Sequence, residues 1–387
     1  GDVQGVSERM ARVRVLRLLG RWKEAAALAE QVSANAERLG LNEFGTIANG
    51  QRGALLVLLE ERESGVELLE RALIESESRG QTLLSAEFRG QLGIEAARRG
   101  ERSAALVVHA GLARLEAEGL AGGEIEAWLL AALSQVEASL GHWQEAAEHG
   151  DAALTLFETL VGADDPRTAA VRINLAASLS RLGQDEAAVE SVERAWSTLA
   201  STLGETHPLV ARHGLETGKV LMRGGRWKRA RSVLQAVETA TTGAPALDVV
   251  RCEARTELAY VLAQLEELEG ATAMLVALEP SIQGGCSSLE GRYAEVGVHV
   301  FSSAGDWART ATAAEVALSR LERQKGVDPA TVARGALRFA VAAARSGRAC
   351  EAETVIEKHA KTIQQHQAEA AKPMVSMIRT AAADCGE

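Results

Sequence analysis

Arginine recurs at 98, 181, 223 and 345, each time two residues before a glycine. A planar guanidinium repeated at such positions could pair in bidentate fashion with acidic side chains or with a chain-terminal carboxylate. The plainer alternative is a cation near a helix C-terminus that complements the helix dipole. Cysteine offers the second chemistry. Four thiols stand at 252, 286, 350 and 385, all in the last third of the chain, without the CxxC spacing of a zinc site. No catalytic constellation accompanies them. The eight histidines are scattered, and there is no HExxH, phosphate-cradling GxxxxGK[ST], nucleophile elbow or GxGxxG after a strand. No enzyme activity, cofactor or metal is therefore expected of this chain, and any catalysis would reside in an attached domain.

The elements that must position these residues are helical. The 387 residues are 47% hydrophobic and 25% charged, with six prolines and 3% aromatic residues. Alanine, leucine, glutamate and arginine dominate, all strong helix formers, so the expected class is all-α. A net charge of −11 argues against a nucleic-acid partner, which needs a concentrated basic surface. No apolar run reaches the roughly 18 residues of a membrane-spanning helix, so no membrane insertion is expected of this segment. The chain opens on Gly1 and enters repetitive sequence at once, as expected of a piece of something longer.

That repetition is a turn. GRWKEA at 20–25 returns as GRWKRA at 225–230, and degenerate copies begin at Gly100, Gly141, Gly183, Gly305 and Gly347. Weaker copies begin at Glu60 and Glu266. Successive turns are 39 to 42 residues apart over the whole chain, the signature of stacked repeats that contact only their neighbours. Apolar helical periodicity flanks each turn, as in residues 171–179 before Gly183 and 188–195 after it, with glycine ending the first helix in a left-handed conformation. Each unit is thus a helical hairpin. Asp165-Pro166, His207-Pro208, Ala244-Pro245 and Asp328-Pro329 mark boundaries between units, because proline suits the first turn of a new helix.

The segment Asp164-Asp165-Pro166 through Arg172-Ile173-Asn174-Leu175-Ala176, Leu182-Gly183 and Ala187-Ala188 to Ala195 resembles tetratricopeptide repeats of the long-period kinesin-light-chain type. The resemblance is strongest over 127–240 and extends in weaker form along nearly the whole chain. It implies a right-handed superhelical solenoid of about nine hairpins spanning 1–387 as one domain, closed by a capping helix at about 373–384 that starts at Pro373. Residues Gly326 to Ala333 and the alanine-rich run after them are similar to the closing units of repeat arrays attached to bacterial serine/threonine kinases.

In this family the first helices of successive units line the concave face. The resemblance therefore implies that a protein or peptide partner meets Asn174, Arg98, Arg181, Arg223, Glu216, Lys219, Gln135, Trp128, Tyr260 and His299. Asn174 occupies the position where related repeats use an amide to bind the backbone of an extended peptide. An amide both donates and accepts, which suits any peptide bond. The equivalent residues Gln51, Gln91, Ala132, Glu216 and Arg338 depart from that pattern. Trp22, Trp143, Trp227 and Trp307 all take the third position of the turn, where the family places a bulky ring to wedge the two helices. Trp128 stands outside that position and is the tryptophan left for a ligand.

The cysteine separations of 34 and 35 residues are close to one hairpin each, so the register favours Cys252 with Cys286 and Cys350 with Cys385. Bridges would imply an oxidising compartment and an array outside the cytoplasmic membrane. Four separately buried thiols in a cytoplasmic protein satisfy the same sequence. The function expected is protein or peptide binding, as sensor or scaffold of a larger bacterial signalling protein whose effector the resemblance suggests is a serine/threonine kinase. Self-association through the ends or convex face, and closure around a small signalling peptide or metabolite, are the alternatives. The sequence sets neither the partner nor the oligomeric state.

Overall fold

The computed structural model describes residues 3–324 and 326–383, with no side chain described at 370. Among the described residues there are nineteen α-helices and no strand. They pair in chain order as hairpins: α1 (Val3–Leu18) with α2 (Trp22–Arg38), α3 (Asn42–Leu58) with α4 (Arg62–Ser78), α5 (Thr82–Arg98) with α6 (Ala104–Ala117), and α7 (Glu124–Leu140) with α8 (Trp143–Val161). There follow α9 (Pro166–Arg181) with α10 (Asp185–Leu203), α11 (Pro208–Arg223) with α12 (Trp227–Thr241), and α13 (Asp248–Gln264) with α14 (Leu268–Gln283). The last are α15 (Glu290–Ser303) with α16 (Trp307–Arg323), α17 (Pro329–Arg345) with α18 (Ala349–Lys358), and a closing α19 (Ala360–Ala381).

Each turn inferred from the repeated motif is where one helix gives way to its partner. Seven of these turns carry a glycine at positive φ, from 68° at Gly225 to 87° at Gly347. The two degenerate copies keep the conformation without the glycine: Glu60 has φ 65° and Glu266 has φ 64°. A Cβ in that region meets the following carbonyl, at a cost of roughly 1–2 kcal/mol. The hairpin geometry imposes the turn even where the residue type resists it. Trp22, Trp143, Trp227 and Trp307 are each the first residue of a second helix.

The boundary prolines behave as their sequence context requires. Pro166, Pro208 and Pro329 open α9, α11 and α17, and the side chain before each accepts a backbone N–H two residues on: Asp165 from Arg167, His207 from Leu209 and Asp328 from Ala330. Pro245 instead opens a 3-10 turn, Pro245–Leu247, ahead of α13. The closing helix departs from its expected start. α19 begins at Ala360, bends where Gln367 leaves helical φ/ψ, and carries Pro373 inside its second segment. Ile363, Ala371 and Ile378 on α19 pack into the core of the ninth hairpin with Ala336, Leu337 and Ala340, which is what caps the array.

Packing divides the chain into two units, the first of residues 1–226 with 239–247 and the second of 227–238 with 248 onward. Within the first unit the first helices α1, α3, α5, α7, α9 and α11 each pack beside the next, while successive second helices make few contacts. The first helices therefore lie on the inner side of the curve. Aromatic rings fill the space between them: Phe88 on α5 lies over Gly50 of α3, and Trp128 on α7 lies over Gly90 of α5, so closely that a Cβ at either glycine would clash with the ring.

In the second unit Cys252 near the start of α13 is joined to Cys286 after α14, buried with Leu278 and Ile282 and with Leu289 and Tyr293 packed alongside. The second expected pair cannot be followed in the same way, because Cys385 lies outside the described residues.

Candidate partner-binding faces

The inner face of the first unit is polar and laced with charge. Glu95 of α5 is almost fully buried, and it accepts from Arg62 Nη1 at 3.1 Å and from Arg98 Nη1 at 2.8 Å. Arg62 also pairs with Glu60, whose Oε1 in turn accepts from Arg212 Nη2 at 3.3 Å. An alternating chain of charges thus runs Arg98, Glu95, Arg62, Glu60, Arg212. Beside it, Arg17 on α1 donates to the Gln51 amide at 2.8 Å. Arg98 is consequently engaged within the fold.

Arg212 brings α11 back to the first two hairpins. Its Nη2 also donates to the Leu58 carbonyl at 2.9 Å, and its guanidinium lies 5.5 Å from the Trp22 ring centre. One turn earlier, His207 Nε2 lies 2.9 Å from the Leu18 carbonyl, and the Pro208 ring fits against Gly20, where a Cβ would come within 2.5 Å of Pro Cδ. The first unit therefore curves round until α11 touches the turns of the first and second hairpins. Burial lowers the pKa of Arg212, an effect only partly offset by Glu60. Beside it, burial takes the His213 imidazole down to about 4, against a pull upward from Glu216.

Along the rest of this face, Lys219 Nζ donates to Glu216 at 2.9 Å, both on α11 with Arg223 one turn further on. Asn174 and Gln135 are half-buried, on α9 and α7. The Asn174 amide makes no hydrogen bond among the described residues, which leaves both its donors and its acceptor for another molecule. Arg181 is exposed and stacks 5.1 Å from the ring centre of Trp143, the turn tryptophan of the preceding hairpin. Arg345 repeats the arrangement on Trp307 at 4.3 Å. Two of the four periodic arginines therefore brace a turn tryptophan by cation–π contact. Trp128, over Gly90, bridges the cores of neighbouring hairpins.

The second unit has a cavity of about 590 Å³, lined by residues of α13, α15, α16, α17 and α19. It brings together the two remaining expected residues, Tyr260 and His299, whose ring centres are 4.9 Å apart. His299 Nε2 lies 2.8 Å from the Gln264 amide, and burial, with Arg338 nearby, lowers its pKa. Arg292 stands 5.9 Å from the Tyr260 ring and forks onto the buried Glu257 at 2.7 and 2.8 Å. Periodicity had assigned no role to Trp307, Arg334 or Met374 here. All three line the cavity because α17 and the bent α19 converge on it.

A chain of stacked antiparallel helical hairpins belongs to the α-solenoid class. Residues 124–199, spanning α7 to most of α10, match the tetratricopeptide repeat family. No curated protein matches the chain. Among solved structures, a Rap protein complexed with Competence and Sporulation Factor is similar at 14% identity and a TM-score of 0.59, covering 98% of this chain and 99% of that one. The apo form of the quorum sensor NprR from B. thuringiensis is similar at 14% identity and a TM-score of 0.58, covering 94% and 100%. A putative kinesin light chain repeat structure from Podosopora anserina shares 19% identity over 50% of this chain and 93% of its own, with a TM-score of 0.42. The fold is that of a tetratricopeptide-repeat protein.

Proposed function

We infer that the protein binds segments of other proteins along the inner faces made by its first helices, as the sensing or scaffolding part of a larger bacterial signalling protein. The observation that carries this reading is the half-buried Asn174 amide on α9, which makes no hydrogen bond among the described residues. An extended backbone laid across α9 would meet that amide, with Gln135 on α7 and the Glu216, Lys219 and Arg223 stripe on α11 to either side. Two structures of similar fold support a sensing role: one is a quorum sensor and the other holds Competence and Sporulation Factor. The attached effector that best fits the sequence is a serine/threonine kinase, on the likeness of residues 326–333 to kinase-linked arrays.

The test is a peptide-array screen on the intact chain, repeated with Asn174→Ala and with Arg181→Ala/Arg223→Ala. Loss of at least tenfold in affinity in these variants, with folding retained by circular dichroism, supports the inner face. Equal affinity in all of them removes it. The second unit's cavity favours a further mode, the holding of a small ligand.

A further inference from the structure

The cavity of the second unit is chemically lopsided. Part of its lining is apolar and aromatic, from Val298, Leu337, Val341, Trp307, Tyr260 and Met374. Its two large rings, Trp307 and Tyr260, are braced by neighbours within the fold. Arg345 stacks on Trp307, and Tyr260 is held between His299 and the Arg292 that is pinned by Glu257. Aromatic groups braced in this way lose little freedom on binding, which favours affinity.

The cavity's charge lies along α17. Arg334 and Arg338, one helical turn apart, are both exposed and line the same cavity. Arg334 donates only to the Thr331 hydroxyl, at 2.8 Å, and Arg338 makes no hydrogen bond or ion pair among the described residues. Glu295 is the one acid in the lining among the described residues, and Arg292 already engages it at 3.4 Å. A smaller cavity of about 270 Å³ adjoins and shares Glu295, Val298, Arg334 and Arg338, so the two arginines stand where both hollows meet. Two guanidinium groups that form no ion pair among the described residues, set against an apolar recess of a size suited to small ligands, fit an anion with a hydrophobic body.

We propose that this cavity binds an apolar carboxylate, its charge on Arg338 and Arg334 and its hydrocarbon or aromatic part against Trp307, Tyr260, Leu337 and Met374. The carboxylate belongs either to a free small acid or to the last residue of a peptide. The assignment extends the reading of the first-helix faces as binding surfaces to a ligand class, and it stands on residues that the Asn174 face does not share.

The experiment titrates the intact chain with 4-phenylbutyrate and with 4-phenylbutanol by calorimetry, while following the Met374 methyl signal by NMR. The acid should bind at least tenfold more tightly than the alcohol and shift the Met374 signal saturably. Arg338→Ala and Arg334→Ala/Arg338→Ala, both at exposed positions, should weaken the acid at least tenfold and leave the alcohol unchanged. A phenylalanine-ended peptide tested with a free and an amidated terminus separates the sources. Preference for the free terminus identifies a chain end, and binding of the small acid alone identifies a free metabolite. Equal affinity for acid and alcohol, no response of Met374, or an unchanged response in the double variant overturns the assignment. Segment binding that still depends on Asn174, alongside a silent cavity, overturns this assignment alone and leaves the inner-face reading standing.

Discussion

Arg212 holds its guanidinium 5.5 Å from the centre of the Trp22 ring, joining the sixth hairpin to the first. Repeat arrays are ordinarily held by neighbour contacts only. Here the first helix of the sixth hairpin also bonds the Leu58 carbonyl and Glu60, both in the second hairpin, four places away in the order. Arg212→Ala should therefore speed amide exchange in α1 and α2 about tenfold or more, although the substitution is on α11. That corresponds to a cation–π contact and a charged hydrogen bond of roughly 1–2 kcal/mol together. Hydrogen exchange read by mass spectrometry checks it, and protection lost only around α11 would show that the contact adds nothing.

The left-handed glutamates give a prediction of opposite sign. Glu266 has φ 64° and its neighbour Glu267 carries the ion pair with Arg231, so Glu266→Gly removes strain without removing a partner. It should stabilise the second unit by about 1 kcal/mol, read as a raised urea midpoint. Gly305→Ala, at φ 75° in an open turn, should cost a similar amount.

Cys252 and Cys286 close a loop of 34 residues. Reduction, or Cys252→Ser with Cys286→Ser, should lower the stability of the second unit by about 4 kcal/mol on the loop-entropy account. Melting curves with and without reductant would show it. Identical curves would mean that packing among Leu278, Ile282 and Tyr293 already holds the site.

The His213 imidazole is held down to about 4, chiefly by burial, with Arg212 pushing the same way and Glu216 opposing. In the unfolded chain it titrates near 6.5. Below that pH the unfolded chain takes up a proton that the folded one refuses. The stabilisation is thus complete above about pH 6.5, declines as the pH falls, and levels off near pH 4. The loss is about 3 kcal/mol across that window. His213→Gln should flatten the curve there. A slope unchanged by the substitution would assign it to other groups.

The hairpins were legible in the sequence because each carries its own punctuation: a turn glycine, a tryptophan opening the second helix, a proline opening the next first helix. These are local signals with local causes. Even Glu60 and Glu266 could be placed by spacing alone, since the repeat length fixes where a turn must fall. What could not be read joins distant segments. The bend at Gln367 answers to packing against α17, and Pro373, which locally signals a helix start, is carried inside the second segment of α19. Counting back from each glycine found Tyr260 and His299 and touched α17 at Arg338, but not Arg334 one turn away, and Met374 enters the same cavity from α19, which the count did not reach. Arg98 and Arg181 were found by the same count, and packing gave them intramolecular partners.

Glu60 shows why irregularity in a repeat should not be smoothed away. Judged against the consensus of its sister turns, it is an error that glycine would correct, and a consensus redesign would make that change first. Yet its carboxylate is the acceptor that Arg62 and Arg212 share. Regularising this single position would improve the turn and leave Arg212 with only the Leu58 carbonyl to hold it to the second hairpin. In this chain, the departures from the repeat carry the information that a perfect repeat cannot hold: where the array stops being a line.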